Sequence, residues 1–308
     1  MIGAGSFGRN HLRVLRNSPN SQLVAVVDSN PDRAAAASAE FGCQAVPTLG
    51  ELTGTIDAAV VAVPTTAHAE VGCQLLENGI DVLVEKPIAS DAVSARRLVD
   101  AARQHSRILQ VGHLERFNPA VMALRRIRTT PLFFEVHRMS VFTPRSLDVD
   151  VVLDLMIHDV DVVLSLVGCP PEEIRAAGLP ILTNKVDIAN VRLAFPTGCI
   201  ANLTASRVST ERVRKLRVFQ PSQYMSLDYQ RQDLLTFTVN EGEIHCEAVS
   251  VEKSEPLKLE LDAFLASVAS RSAPPVTGEE GLAALEVALE ILAKIEEHAE
   301  RIRERLVR

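Results

Sequence analysis

The sequence predicts an α/β Rossmann domain with a doubly wound parallel sheet, followed by an α+β domain with an open, mostly antiparallel sheet. Three observations predict it. Gly3, Gly5 and Gly8 spell G-x-G-x-x-G in the opening MIGAGSFGRN. As far as residue 113, short β-branched runs alternate with helix-length stretches, the rhythm of parallel strands joined by crossover helices. Past residue 115, strand-like segments follow one another with turn residues and mostly no helix of useful length between them. That is the pattern of an antiparallel sheet.

Taken in order, SFGRNHLRVLRN (6–17) has helical spacing, with Phe7, Leu12 and Leu15 recurring. QLVAVVD (22–28) is a strand that ends in an acid. PDRAAAASAEFG (31–42) is a helix, with Pro31 suited to its first turn and Gly42 to its stop. IDAAVVAVP (56–64), DVLVEKP (81–87) and RILQVGH (107–113) are strands; HAEVGCQLLENG (68–79) and SDAVSARRLVDAARQ (90–104) are helices. Met1 and Ile2 are too few for the strand that should precede the glycines, so the native chain is expected to begin several residues upstream. FNPAVMALRRIR (117–128) opens the second domain as a helix. The helix DVDVVLDLMIHDVDVVLSLVG (148–168) is apolar nearly all round. SRSAPPVTGEEG (270–281) reads as a loop, and Thr277 with Glu280 makes a capping box for a long amphipathic C-terminal helix. The expected domains are 1–115, 116–276, and a helix at 277–308 that packs back on the body.

Composition narrows the function. The 308 residues are 47% hydrophobic and 23% charged, with a net charge of −7, which suits a globular protein. An acidic balance argues against a nucleic-acid or membrane-surface binder. The 5 cysteines are widely spaced with no CxxC, so reduced thiols and a cytoplasmic location are expected. No apolar run approaches the ~20 residues of a membrane span.

The glycine motif gains weight from its context. A helix follows it, so free N–H groups can hold a pyrophosphate. Asp28 ends the next strand 20 residues past Gly8, where a carboxylate binds the ribose hydroxyls. A carboxylate there repels a 2′-phosphate, so NAD is expected over NADP, with Arg33 close by in sequence. In the 148–168 helix, Asp150, Asp154, His158 and Asp161 are spaced 4, 4 and 3 and share one face. Such a stripe needs partners or a wet pocket. Asp154 and His158 alone do not make a metal site, because no other His or Cys has matching spacing; no metal is expected.

Four stretches in order, GAGSFG (3–8), VPTTAH (63–68), EKP (85–87) and DLMIHDVD (154–161), resemble the glucose–fructose oxidoreductase/inositol dehydrogenase/MocA family (Gfo/Idh/MocA) over essentially the whole chain. The resemblance implies hydride transfer between a nicotinamide and a sugar or cyclitol hydroxyl. It also implies a homodimer or homotetramer built on the open sheet. It places Gly3, Gly5, Ser6, Phe7, Gly8, Asp28, Arg33, Pro64, Thr65, His68, Glu85, Lys86 and Pro87 at the cofactor. It gives Lys86 and His158 the acid/base work, with Asp154 supporting. VGHLERFNPAV (111–121), FTPRSLDVDVVLDLMIHD (142–159) and RVSTERVRKLRVFQPSQYMSLDYQ (207–230) resemble members that act on UDP-sugars. They imply oxidation of the 3-hydroxyl of UDP-N-acetylglucosamine, with a partner aminotransferase completing a 3-amino sugar for lipid A. Arg116, Asn118 and Asp161 are then expected at the substrate, and Arg145, Arg207 and Arg212 at its diphosphate, since guanidinium forks match phosphate oxygens.

Overall fold

The structure, a computed structural model, describes residues 1–127, 129–143 and 149–306. It divides into two compact units, Met1–Leu114 with Glu255–Leu282, and Glu115–Ser254 with Ala283–Arg308.

The first unit opens with α1 (Ser6–Asn17), β1 (Ala25–Val26), α2 (Pro31–Phe41) and β2 (Gln44–Ala45). It continues through β3 (Ala58–Val61), α3 (His68–Glu77), β4 (Asp81–Glu85), α4 (Ala92–Gln104) and β5 (Leu109–Gly112). β1 pairs with β2, and β3, β4 and β5 pair in order, all parallel. Ile2 bridges Val27 on one side and Val61 on the other. The first residues lie at the central position of the sheet, where the sequence expects a strand ahead of the glycines. Ile2 N–H donates to Val60 O at 2.8 Å and Ala62 N–H to Ile2 O at 2.8 Å, while Val27 N–H donates to Met1 O at 2.9 Å. A cavity of ≈ 630 Å³ beside Met1, Leu23, Ala25, Asp57 and Phe264 lies at the N-terminal ends of the strands, away from the end where doubly wound sheets bind ligands.

The second unit contains α5 (Pro119–Arg126), β6 (Phe133–Val141), a π-helical turn (Val152–Met156) and α6 (Ile157–Val167). β7 (Glu173–Leu179), β8 (Ile188–Ala194), β9 (Ile200–Ser209), β10 (Val213–Gln220), β11 (Gln223–Asp228), β12 (Asp233–Asn240) and β13 (Glu243–Val249) follow. The eight strands run β13-β12-β11-β10-β6-β9-β8-β7. Only the β6–β9 pair is parallel; the other neighbours are antiparallel. Alternation sets the inner face. Phe134, Val136 and Arg138 on β6 are buried, and Phe134 and Val136 share a core with Val160 and Val163 of α6.

Helix α7 (Pro256–Ser270) and helix α8 (Gly278–Leu306) complete the chain. The sequence reading missed α7 and placed 255–276 with the second domain. The structure returns that segment to the first unit, because α7 buries Leu261 and Phe264 beside Leu12 and Leu15 of α1. Val111 N–H then donates to Val276 O at 3.1 Å. The capping box forms as expected: Glu280 N–H donates to Thr277 Oγ1 at 3.2 Å and Thr277 N–H to Glu280 Oε2 at 2.9 Å. Among the described residues, no helix is long and apolar enough to cross a membrane.

Candidate active site

The three glycines are each required for a different reason. Gly3 has φ +91° and an added Cβ would lie 2.5 Å from Ala62 O. At Gly8 a Cβ would lie 2.0 Å from Gly3 O, so the helix can press on the turn only without a side chain. Gly5 would meet nothing within 4 Å, which leaves the backbone open to a ligand. These are the tight turn, the close packing and the approach that a pyrophosphate cradle needs. Beside them lies a cavity of ≈ 690 Å³ lined by Gly3, Gly5, Ser6, Phe7, Asp28, Arg33 and Pro64, among others.

Asp28 Oδ2 accepts Ala4 N–H at 2.7 Å, while Oδ1 accepts Asn30 N–H at 2.8 Å and Arg33 Nε at 3.1 Å. Burial pushes this carboxyl up, but those donors outweigh it and hold it below the usual range. An ionised acid beside the glycine turn is what a ribose diol requires. The chain's own residues therefore fit a dinucleotide. The sequence reading missed Pro47, Thr48, Leu49 and Thr66, which also line the cavity. The first three follow a two-residue strand too short to register as a period.

The expected cofactor residues on the next loops make contacts within the protein. His68 is buried, and its ring nitrogens lie 3.0 Å from Pro87 O and 3.0 Å from Val63 O. Burial holds its pKa below the ordinary value, and the neutral ring, with one N–H, donates to one of the two carbonyls while packing against the other. Glu85 is turned inward: Oε1 meets His11 Nε2 at 2.6 Å, and Oε2 accepts Lys86 N–H at 3.2 Å. Lys86 follows at the C-terminal end of β4, half-buried. Neither Thr65, Glu85, Lys86 nor Pro87 lines the cavity.

In the second unit the acidic stripe divides. Asp150 Oδ1 accepts Val186 N–H at 2.8 Å, and Asp161 pairs with Arg116 at 3.2 Å, both side chains 2% exposed. Asp154 and His158 stay half-buried. Asp154 sits in the π-helical turn Val152–Met156, a local widening common at functional sites. Asp159, which the periodicity did not mark, is the anchor. It accepts Arg138 Nε at 2.6 Å and Nη2 at 2.9 Å, while Arg138 Nη1 reaches Glu115 at 3.0 Å.

Three of the residues expected at the substrate have partners within the protein. Arg116 closes on Asp161. Asn118 caps α5 by accepting Ala120 N–H at 3.1 Å, and it donates to Tyr229 O at 2.9 Å. Arg207 is 5% exposed; its Nε lies 3.1 Å from Asp187, and it also donates to the Val149 and Val186 carbonyls. An arginine buried against carboxylate and carbonyls is not offered to a diphosphate. Arg145 lies outside the described residues.

A dinucleotide-binding Rossmann unit joined to an open antiparallel sheet defines a two-domain nicotinamide-dependent oxidoreductase. Residues 1–113 match the family described as "Oxidoreductase family, NAD-binding Rossmann fold", and residues 123–220 match the "GFO/IDH/MocA C-terminal domain". The chain belongs to the Gfo/Idh/MocA oxidoreductase family, and its first domain binds NAD. It is similar to the UDP-N-acetylglucosamine 3-dehydrogenase of Acidithiobacillus ferrooxidans, 34% identical over 98% of each chain. The solved structure of that protein superposes with a TM-score of 0.92 at 35% identity, over 96% of each chain. An inositol 2-dehydrogenase of Rhizobium meliloti is 26% identical over 94% of this chain and 93% of its own.

Proposed function

We propose that this protein is a nucleotide-sugar dehydrogenase that oxidises the 3-hydroxyl of UDP-N-acetylglucosamine, with NAD preferred over NADP. The observation that carries the reading is the end-to-end similarity to the Acidithiobacillus enzyme, 34% identical over 98% of each chain. NAD supplies the hydride acceptor.

The remaining work falls to the chain's own side chains. Oxidising a secondary alcohol requires its hydroxyl proton to leave as hydride departs. Lys86 takes that proton: a half-buried amine close to a cationic ring loses its own proton more readily than an exposed one. His158 serves as its acid/base partner, with Asp154 one turn earlier orienting the imidazole or a substrate hydroxyl. The ionised Asp28 disfavours a 2′-phosphate. Arg145 and the exposed Arg212 are the remaining candidates for the diphosphate. An aminotransferase consuming the ketosugar would place the product on a lipid A route, inside the cytoplasm.

Mixing the protein with NAD⁺ and UDP-N-acetylglucosamine, with glutamate and an aminotransferase to draw off the ketosugar, should raise NADH absorbance. Lys86→Ala should abolish that rise and leave NAD binding in place. No rise with UDP-N-acetylglucosamine, alongside a clear rise with inositol or another UDP-sugar, would sink the substrate assignment.

A further inference from the structure

Strand β10 carries an arginine onto the face of the sheet that packs against α6. Leu216 and Val218 of β10 are buried in one core with Val160 and Val163. Side chains two apart along a strand share a face, so Arg214 lies on that face too. Directly opposite it on β6 stands Arg138. Arg138 in turn grips Asp159, the residue after His158. Arg214 is therefore a close neighbour of the helix that carries the expected acid/base histidine.

The two arginines differ in what surrounds them. Arg138 has Asp159 on Nε and Nη2 and Glu115 on Nη1. Arg214 is half-buried, and its Nε is shut off from solvent with no hydrogen-bond partner. Glu115 and Asp159 are close enough to attract it, yet their oxygens are already engaged. Both of Asp159 and Oε1 of Glu115 accept from Arg138, and Oε2 of Glu115 accepts from Asn118 Nδ2 at 3.2 Å. Burial and the Arg138 charge outweigh the two acids and bring the Arg214 pKa below the ordinary arginine value. Like charges directly opposite one another destabilise a sheet. A desolvated guanidinium with no carboxylate of its own adds to that cost. A fold breaks such rules where function needs the group, and here the group lacks a negative partner.

The missing partner has a definite chemistry. Arg212 is exposed two residues earlier, and its charge is felt at Arg214. Guanidinium forks match phosphate oxygens, and the diphosphate of a nucleotide sugar brings two negative charges to two arginines. We propose that Arg214 is a substrate-binding residue that holds the diphosphate of the nucleotide sugar, with Arg212 as its outer partner. The proposal rests on the nucleotide-sugar reading above. Arg207 shows the contrast: Asp187 and two backbone carbonyls already occupy it, whereas the Arg214 Nε has no such partner.

Calorimetry with UDP on the NAD-loaded protein reads this without turnover. Arg214→Met keeps most of the apolar stem and removes the charge, while Arg214→Lys keeps the charge and removes the fork. Arg214→Met should bind UDP about tenfold or more weakly than wild type, and Arg214→Lys should fall between the two. The charge is unmet in the free protein, so Arg214→Met should melt no lower than wild type, and NAD binding should be the same in all three. Equal UDP affinity in wild type and Arg214→Met would overturn the proposal and leave the nucleotide-sugar reading standing. Should Arg214→Met melt lower or fail to fold, Arg214→Lys decides. Weaker UDP binding at an unchanged melting temperature supports the proposal, and any other result overturns it. A wild type that takes up neither UDP nor UDP-N-acetylglucosamine removes the nucleotide-sugar reading itself, and the role of Arg214 falls with it.

Discussion

Gly8 shows how little freedom a single residue has in this cradle. An added Cβ would sit 2.0 Å from Gly3 O, and backbone cannot swing aside as a side chain does. Gly8→Ala should cost about 1–3 kcal/mol of stability and displace the turn that receives the cofactor. Gly5→Ala meets nothing within 4 Å, so it should leave the melting temperature alone and weaken only NAD binding. The chain has no Trp, so calorimetry is the direct measurement of both. Equal NAD affinity in wild type and Gly5→Ala would show that the cofactor does not approach that backbone. Two buried acids give opposite pH signatures. Burial raises Asp187, but the N–H groups of Ile181, Thr183 and Leu182 and the Thr183 hydroxyl bring it down to about 2. Its contribution is present above its ordinary value and lost as pH falls through about 4 to 2, roughly 2 kcal/mol in all. Burial and the charge of Glu85 raise Glu260 above 4.5, so its contribution is present below that value and drains away as pH rises. Wild type should therefore lose stability relative to Glu260→Gln as the pH rises from about 4.5, and parallel melting curves for the two would contradict a held proton. The glycine turn and Asp28 beside it were legible because a short motif carries each one. The setting of Arg214 was not, because Arg138, Asp159 and Glu115 come from separated stretches of chain and only folding brings them around it.

At the scale of an element, the helix that carries His158 is held by its neighbour in sequence. Arg138 and Asp159 are both 2% exposed on their side chains and paired at 2.6 Å. Asp159→Ala would leave a buried guanidinium with only Glu115, a loss of about 3–5 kcal/mol. Replacing the set together, Arg138→Met with Asp159→Leu and Glu115→Gln, should recover most of that stability, since no charge is then stranded. If the single variant melts no lower than the triple, the ion pair does not anchor the helix. The 3.6-residue period located this helix and put Asp154 and His158 on one face. It said nothing of the π-helical turn at Val152–Met156, which arises from packing and not from composition. Periodicity marked Asp150 and Asp161, and the family resemblance marked Arg116, Asn118 and Arg207, as available polar groups, because a sequence records that a group is polar and not who satisfies it. Helix α7 escaped notice for a related reason. Its apolar residues, Leu257, Leu261 and Phe264, follow a strand-rich stretch and serve the other unit, where local rhythm gives no warning.

At the scale of the whole molecule, the alternation of helix with strand and then strand with strand was enough to read both architectures. The outer face of the eight-stranded sheet carries a consequence for assembly. Its inner face is closed by the core, while a line of aromatics crosses the outer one: Phe133 and Phe219 at 5.7 Å between centroids, Phe219 and Tyr224 at 5.4 Å, and Tyr224 and Phe237 at 4.3 Å. All four side chains are half-buried within the single chain. Val239 on β12 and Ile244 on β13 are 45% and 70% exposed. Cross-strand aromatic pairs stabilise a sheet, but four aligned rings with apolar flanks exceed what one sheet needs and resemble the centre of an interface. We propose that this face joins copies of the chain, burying about 800 Å² per partner. Sedimentation velocity at micromolar concentration should then give at least twice the 33.5 kDa of one chain. Tyr224→Glu with Phe237→Glu places two carboxylates where rings would meet rings, and an unpaired charge in a desolvated interface costs several kcal/mol. The double variant should sediment as a monomer, with the glycine cradle and NAD binding unchanged because the substitutions lie in the second unit and the cradle in the first. A double variant that keeps the wild-type mass would move the interface elsewhere, and the ladder would then serve only the cohesion of its own strands.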